Sequence, residues 1–258
     1  MDNVVADILN NTMHVQTREV NSSQENILLL EKQQIDFAIV QSDVAYEKAK
    51  KSMPNLRVIM ALYPKMLAFV STKEANISAI KELKKKHLKL SFVSDDTSQI
   101  YHKVFQVFDI NNSLQIDSFQ EVKKHILSGD IDGFFSLQGH PNQVTDALVR
   151  EHNLTLVPLY GKKFDQLKND YPFIIKGGIP KGLYGLEEDV KSIGVQALLV
   201  TTKSMDEQTI YHITKTILEN IDRFKEANPV YRGMSKKHLI EKLLITQHKG
   251  ATKAFNDF

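Results

Sequence analysis

The chain has 258 residues, 42% hydrophobic and 25% charged, with no cysteine; that suffices for two modest packed domains and excludes disulfides, thiolate metal sites and a cysteine nucleophile. Thirty-three Lys plus Arg against 31 Asp plus Glu leave a formal net charge of +2, without the concentrated basic surface that nucleic-acid binding requires. No run reaches the roughly 18 apolar residues of a membrane span, and the opening residues 1–11 lack the charged and apolar regions of a secretory signal, so direct membrane insertion is not expected.

Short apolar runs alternate with longer amphipathic stretches, the pattern of strands covered by crossover helices, and the expected fold class is α/β. In chain order the pattern predicts a helix at 24–33, a strand at 35–40, a helix at 43–51, and strands at 56–62, 67–71 and 88–93. Helices at 98–108 and 119–127 follow, then a strand at 133–137, a helix at 142–152, strands at 154–159 and 193–201, and a long helix at 206–227. In that last helix Ile210, Ile213, Ile217, Ile221 and Phe224 fall on one face. The basic run Lys84, Lys85 and Lys86 reads as a solvated helix end. Residues 177–182 look superficially like a phosphate loop, but the spacing fails and Pro180 removes a donor, so a turn crossing between lobes is expected there.

One pattern recurs. Residues 30–43 and 126–141 both read as a helix end, an Ile-Asp pair, a buried strand and a polar loop, which suggests one α/β unit in each of two lobes.

Ligands of open α/β sheets gather beyond the carboxyl ends of strands, where loops lead into helix N-termini. Three predicted strands end in small polar residues. After Val40 come Gln41, Ser42 and Asp43; Ser42 or Asp43 serves equally as a helix cap, whereas Gln41 has no capping role. After Val93 come Ser94, Asp95, Asp96, Thr97, Ser98 and Gln99, where main-chain amides and hydroxyls suit an anion and the paired acids suit an amino group. After Leu137 come Gln138, Gly139, His140 and Pro141, with Gly139 permitting close backbone approach. His140 reads either as a structural histidine or as a ligand contact. No metalloprotease helix, nucleophile elbow, Walker loop or dinucleotide fingerprint occurs, so no catalytic residues, cofactor or metal site are expected.

These loops, taken with residues 35–46, 61–66, 129–142, 179–185, 192–201 and 210–229 and with His248, Gly250 and Ala251 near the end, make the chain resemble the TAXI family of TRAP transporter solute receptors over nearly its whole length. The resemblance implies a type II periplasmic binding protein fold, with lobe one formed by 1–76 and 190–258 and lobe two by 77–189. It further implies a non-enzymatic receptor in the periplasm that captures a small carboxylate-bearing solute between its lobes and delivers it to a TRAP-type membrane permease. A glutamate- or glutamine-like amino acid, or a dicarboxylate, is the expected class of solute. Contacts carried over to matching positions are Ser23 and Asn26; Gln41, Ser42 and Asp43; Tyr63; Thr97 and Ser98; and Gly139 and His140.

Departures from the family pattern are specific. The family opens with a strand and a ligand loop, whereas this chain starts inside the helix that follows, so the N-terminal strand is expected to be missing and a longer natural product with a signal peptide is expected. Asn21 and Ser22 stand where the family has two glycines, Asp95 and Asp96 where it has Pro and Gly, Lys65 for an acid and Lys249 for a proline. The alternatives are a surface immunogenic protein without a transport partner and an enzyme on the same two-lobed scaffold; a regulator's effector domain lacks its helix-turn-helix here.

Overall fold

The computed structural model describes residues 2–20, 22–93, 100–111, 114–152 and 154–258. The chain forms two compact units, Met1–Tyr63 with Gln196–Phe258, and Pro64–Val195. Unit 1 begins with helices α1 (Asp2–Leu9) and α2 (Ser23–Glu31), strand β1 (Phe37–Gln41), helix α3 (Ser42–Lys51) and the first half of β2 (Leu56–Thr72). Unit 2 takes the second half of β2, then β3 (Leu90–Val93), α4 (Ile100–Phe108), β4 (Leu114–Asp117), α5 (Phe119–Ser128), β5 (Gly133–Gln138), α6 (Gln143–Glu151), β6 (Leu154–Val157), α7 (Lys162–Asp170), β7 (Ile175–Ile179) and the start of β8 (Val190–Thr202). The rest of β8 returns the chain to unit 1, followed by α8 (Glu207–Glu219), α9 (Ile221–Ala227), α10 (Lys236–Ile240) and α11 (Lys249–Asp257).

In unit 1 the strand order is β1-β8-β2, with β1 antiparallel to β8 so that Phe37 faces Thr201 and Gln41 faces Ala197. The two-residue period of a strand sorts the side chains of β8. Ala197 and Leu199 join a core with Ile210, Ile213, Ile217 and Tyr231, whereas Leu198 and Val200 join one with Ile27, Leu30, Val40 and Val44. Both faces are covered, which is why these strands read as continuous apolar runs.

In unit 2 β5 lies between β2, antiparallel to it, and β3, parallel to it, with β4 beyond β3. Its Phe134 packs with Val70, Val122 and Leu148, and the next residue, Phe135, stacks on Phe69 on the opposite face at 4.3 Å between ring centroids.

Several expectations need correction. The strands expected at 56–62 and 67–71 are one 17-residue strand; Pro64 lies exposed within it, a position that does without a ladder donor. The helix expected at 206–227 is two helices, because Asn220 leaves the helical conformation (φ −118°, ψ 19°) while the apolar stripe stays in phase across the break. Of the residues expected to turn the chain at 177–182, Gly177 and Gly178 instead lie in strand β7, where a Cβ on Gly178 would meet the Val190 carbonyl oxygen at 2.8 Å, while Gly182 makes the turn. The first residues of the helix expected at 98–108 lie outside the described residues. Strands β4 and β7 and helices α7, α10 and α11 were not anticipated.

The recurring pattern corresponds to two like pieces of structure. After α2, Gln33 adopts a left-handed conformation (φ 56°) and the Gln34 N–H reaches back to Leu29. After α5, Gly129 does the same (φ 75°), with Asp130 donating to His125. Each five-residue back-bond closes its helix and turns the chain into β1 or β5. Among the described residues no helix is long and apolar enough to cross a membrane.

Candidate functional site

In unit 1 the polar triplet Gln41, Ser42 and Asp43 occupies the junction of β1 and α3 with no intervening loop. Gln41 is the helix N-cap residue in extended conformation and makes no side-chain cap bond. Of the two roles left open for Ser42 and Asp43, N-capping falls away, because the helix starts at Ser42 and Gln41 holds the cap position. Ser42 Oγ instead accepts the Gln196 N–H at 3.0 Å, joining α3 to β8.

A second helix start lies beside this junction. Ser22 caps α2 by accepting the Glu25 N–H at 3.1 Å, and the next residue, Ser23, accepts the Gln41 N–H at 3.0 Å. Asn26 donates its side-chain amide to the Ile39 carbonyl at 3.0 Å. The N-terminal ends of α2 and α3 thus flank one residue, and helix N-termini present unpaired N–H groups and partial positive charge.

Gln41 is 1% exposed, and its Oε1 has no hydrogen-bond partner among the described residues. An unsatisfied buried polar atom costs about 1–3 kcal/mol. Asp43, in the first turn of α3, is also buried. Tyr63 is buried with its ring edge-on to Tyr231, 5.3 Å between centroids.

In unit 2 Gly139 and His140 follow β5, and Asn142 caps α6 by accepting the Thr145 N–H at 3.0 Å. Tyr184, in a short turn with φ 55°, accepts the Asn142 N–H at 2.6 Å. Its hydroxyl lies 2.7 Å from His140 Nδ1, and His140 Nε2 lies 3.3 Å from the Met66 carbonyl. A carbonyl only accepts, so Nε2 carries the proton and Nδ1 accepts from Tyr184. Both ring nitrogens are thereby engaged within the protein. Burial holds the His140 pKa down at about 4, against the opposing hydrogen bond to Met66, and pushes Tyr184 up to about 12.

Sequence reasoning missed Tyr184 as the residue that orders the loop after β5, since nothing local to Leu183–Gly185 marks a contact 44 residues distant. It also missed the Gln196 amide, because main-chain groups leave no trace in composition. Thr97 and Ser98, with Asp95 and Asp96, lie outside the described residues. No group of three His, Asp or Glu side chains with metal-holding geometry occurs among the described residues.

The fold is that of periplasmic solute-binding proteins of type II. A periplasmic binding protein from Brucella ovis with glutathione bound matches at TM-score 0.53 and 14% identity, over 89% of this chain and 65% of that one. The chain thus spans about two thirds of that protein's length. The periplasmic aliphatic sulphonate binding protein of Escherichia coli matches at TM-score 0.57 and 8% identity, over 99% of this chain and 78% of that one. An ancestral arginine-binding protein bound to arginine matches at TM-score 0.50 and 16% identity, over 90% and 82%. The model of the NMT1-like family matches residues 3–257, and the chain belongs to that family.

Proposed function

We propose that this protein is an extracytoplasmic receptor that binds a small carboxylate-bearing solute without chemical change and presents it to a membrane transporter. The observation that carries the proposal is the buried, unsatisfied Oε1 of Gln41 between two helix N-termini. The helix ends favour a carboxylate, while the amide oxygen and the Asp43 carboxylate favour a donor such as an ammonium group. An amino acid of the glutamate or glutamine type, or a dicarboxylate, meets the first demand, and an amino acid meets both. Of the proteins of similar fold named above, two hold a carboxylate-bearing molecule by description, glutathione and arginine.

In this reading Ser23, Asn26, Gln41, Ser42, Asp43 and Tyr63 belong to lobe one, assigned to 1–76 and 190–258. Thr97, Ser98, Gly139 and His140 belong to lobe two, 77–189. Periplasmic residence and a TRAP-type permease partner of the TAXI class follow from the sequence resemblance. A thermal-shift screen of amino acids and dicarboxylates tests the proposal. A ligand present at 100 times its Kd adds about 2.7 kcal/mol, which for a chain of this size raises Tm by about 5–10 °C. A shift with one such solute that disappears in Gln41→Ala supports the receptor reading, and no shift with any of them contradicts it.

A further inference from the structure

Strand β8 enters unit 1 at Gln196, and there its burial pattern is interrupted. All the other residues from Ser192 to Thr201 are buried, whereas Gln196 is partly exposed. A strand covered on both faces is otherwise apolar, and a carboxamide within it requires polar company.

The two-residue period of β8 groups Gln196 with Leu198 and Val200, which pack with Val44 and Ala45 of α3. Its side chain therefore leaves the strand on the side that α3 covers. The 3.0 Å bond from the Gln196 N–H to Ser42 Oγ holds it against the first turn of that helix. The Gln196 carboxamide itself bonds to no described residue.

Gln41 belongs to the other face. It continues the set of Phe37 and Ile39, and its cross-strand neighbour is Ala197; all three pack on the opposite core, and paired residues of neighbouring strands share a face. A small molecule at this strand end thus meets two unlike edges. On one side is an amide oxygen without a partner among the described residues, Gln41 Oε1. On the other is α3, which begins without a side-chain cap, with Gln196 beside it.

The first amides of a helix and the NH2 of a carboxamide are donors, and both suit a carboxylate. Asp43 lies in the same turn of α3, and its negative charge offsets part of the positive helix end. An anion seated there needs a further donor. We propose, resting on the receptor reading above, that Gln196 is a solute-binding residue whose NH2 donates to the carboxylate of an amino acid, with the ammonium group turned to Gln41 Oε1. The orientation of the solute across the strand end is then fixed, and Gln196 selects for its carboxylate.

The test is calorimetric titration of glutamate, glutamine and the 1-carboxamide of each into wild type, Gln196→Leu, Gln196→Glu and Gln41→Ala. Wild type is expected to bind one of the two amino acids, and its 1-carboxamide more weakly. Gln196→Leu removes a hydrogen bond to a charged group and should weaken the amino acid about ten- to hundredfold. Gln196→Glu sets carboxylate against carboxylate and should invert the preference, because the 1-carboxamide can donate to the new side chain. Such an inversion does not arise from a structural role. Urea midpoints of both Gln196 variants should match that of wild type, since the side chain is partly exposed and unbonded. Equal affinity in wild type and Gln196→Leu, with binding lost in Gln41→Ala, overturns the role of Gln196 and leaves the receptor reading standing. An unchanged preference in Gln196→Glu overturns it as well. No heat from either amino acid in wild type contradicts the amino-acid receptor reading itself, and the role of Gln196 with it.

Discussion

Acidification should destabilise this protein through His140. In the folded chain its pKa is about 4, against 6.5 for the free side chain. Between those values the unfolded chain binds a proton that the folded chain refuses, so stability falls as pH drops from about 6.5 and levels off below about 4. A gap of roughly 2.5 units at 1.36 kcal/mol each amounts to about 3 kcal/mol. The cause is burial, which disfavours the charged imidazolium and outweighs the opposing hydrogen bond from Nε2–H to Met66; protonation also puts a hydrogen on Nδ1, where it meets the Tyr184 hydroxyl. Tyr184 must either rotate its donor away or give up the Asn142 amide. Urea denaturation of the wild type and of His140→Gln at pH 7, 6, 5 and 4 isolates this contribution, since every other titrating group is shared. The wild type should lose about 3 kcal/mol more than the variant over that range. Parallel stability curves would refute the argument.

Three further outcomes follow from particular contacts. Gln41→Leu removes the buried orphan acceptor and should stabilise the solute-free protein by about 1 kcal/mol in urea while abolishing solute binding; a destabilised variant would show that Gln41 has a structural partner. Gln33→Gly relieves a left-handed non-glycine residue at the end of α2 and should add up to about 1 kcal/mol, a Tm rise of about 2–4 °C, whereas Gly129→Gln at the matching turn should lower Tm by a similar amount. At Gly250 an added Cβ would press on the Glu207 carbonyl oxygen and lie 2.9 Å from the Tyr211 nitrogen, so Gly250→Ala should cost about 1–3 kcal/mol by forcing α11 off α8; an unchanged urea midpoint would mean that the two helices slide freely.

What the sequence made legible was local. The Ile-Asp-strand pattern announced β1 and β5 and the helix ends before them, because hydrophobic period and closing turn are both written in neighbouring residues. Gln41 was also legible, as a long polar side chain at a strand end with no capping role. The continuity of β2 through Pro64 was not, because the tolerance of a strand for proline depends on which neighbour needs a hydrogen bond there. Nor was the break at Asn220, where the apolar stripe continues unaltered. Strand β4 escaped because it is a four-residue edge strand whose Ile116 is exposed, so that apolar residue marks no buried face. The roles of Ser23 and Ser42 depend on main-chain amides 18 and 154 residues away, and that information belongs to the fold alone.

Calorimetric titration tests directly whether the end of β1 binds a carboxylate-bearing solute. Glutamate, glutamine, 2-oxoglutarate and succinate should each be titrated into wild type and Gln41→Ala, both shown to be folded and both carrying any upstream coding sequence. Saturable heat is expected with one of the four, micromolar binding corresponding to about 8 kcal/mol, and is expected to be lost in Gln41→Ala. Undiminished binding in the variant would place the solute elsewhere, and no heat with any of the four would contradict the assigned class of ligand.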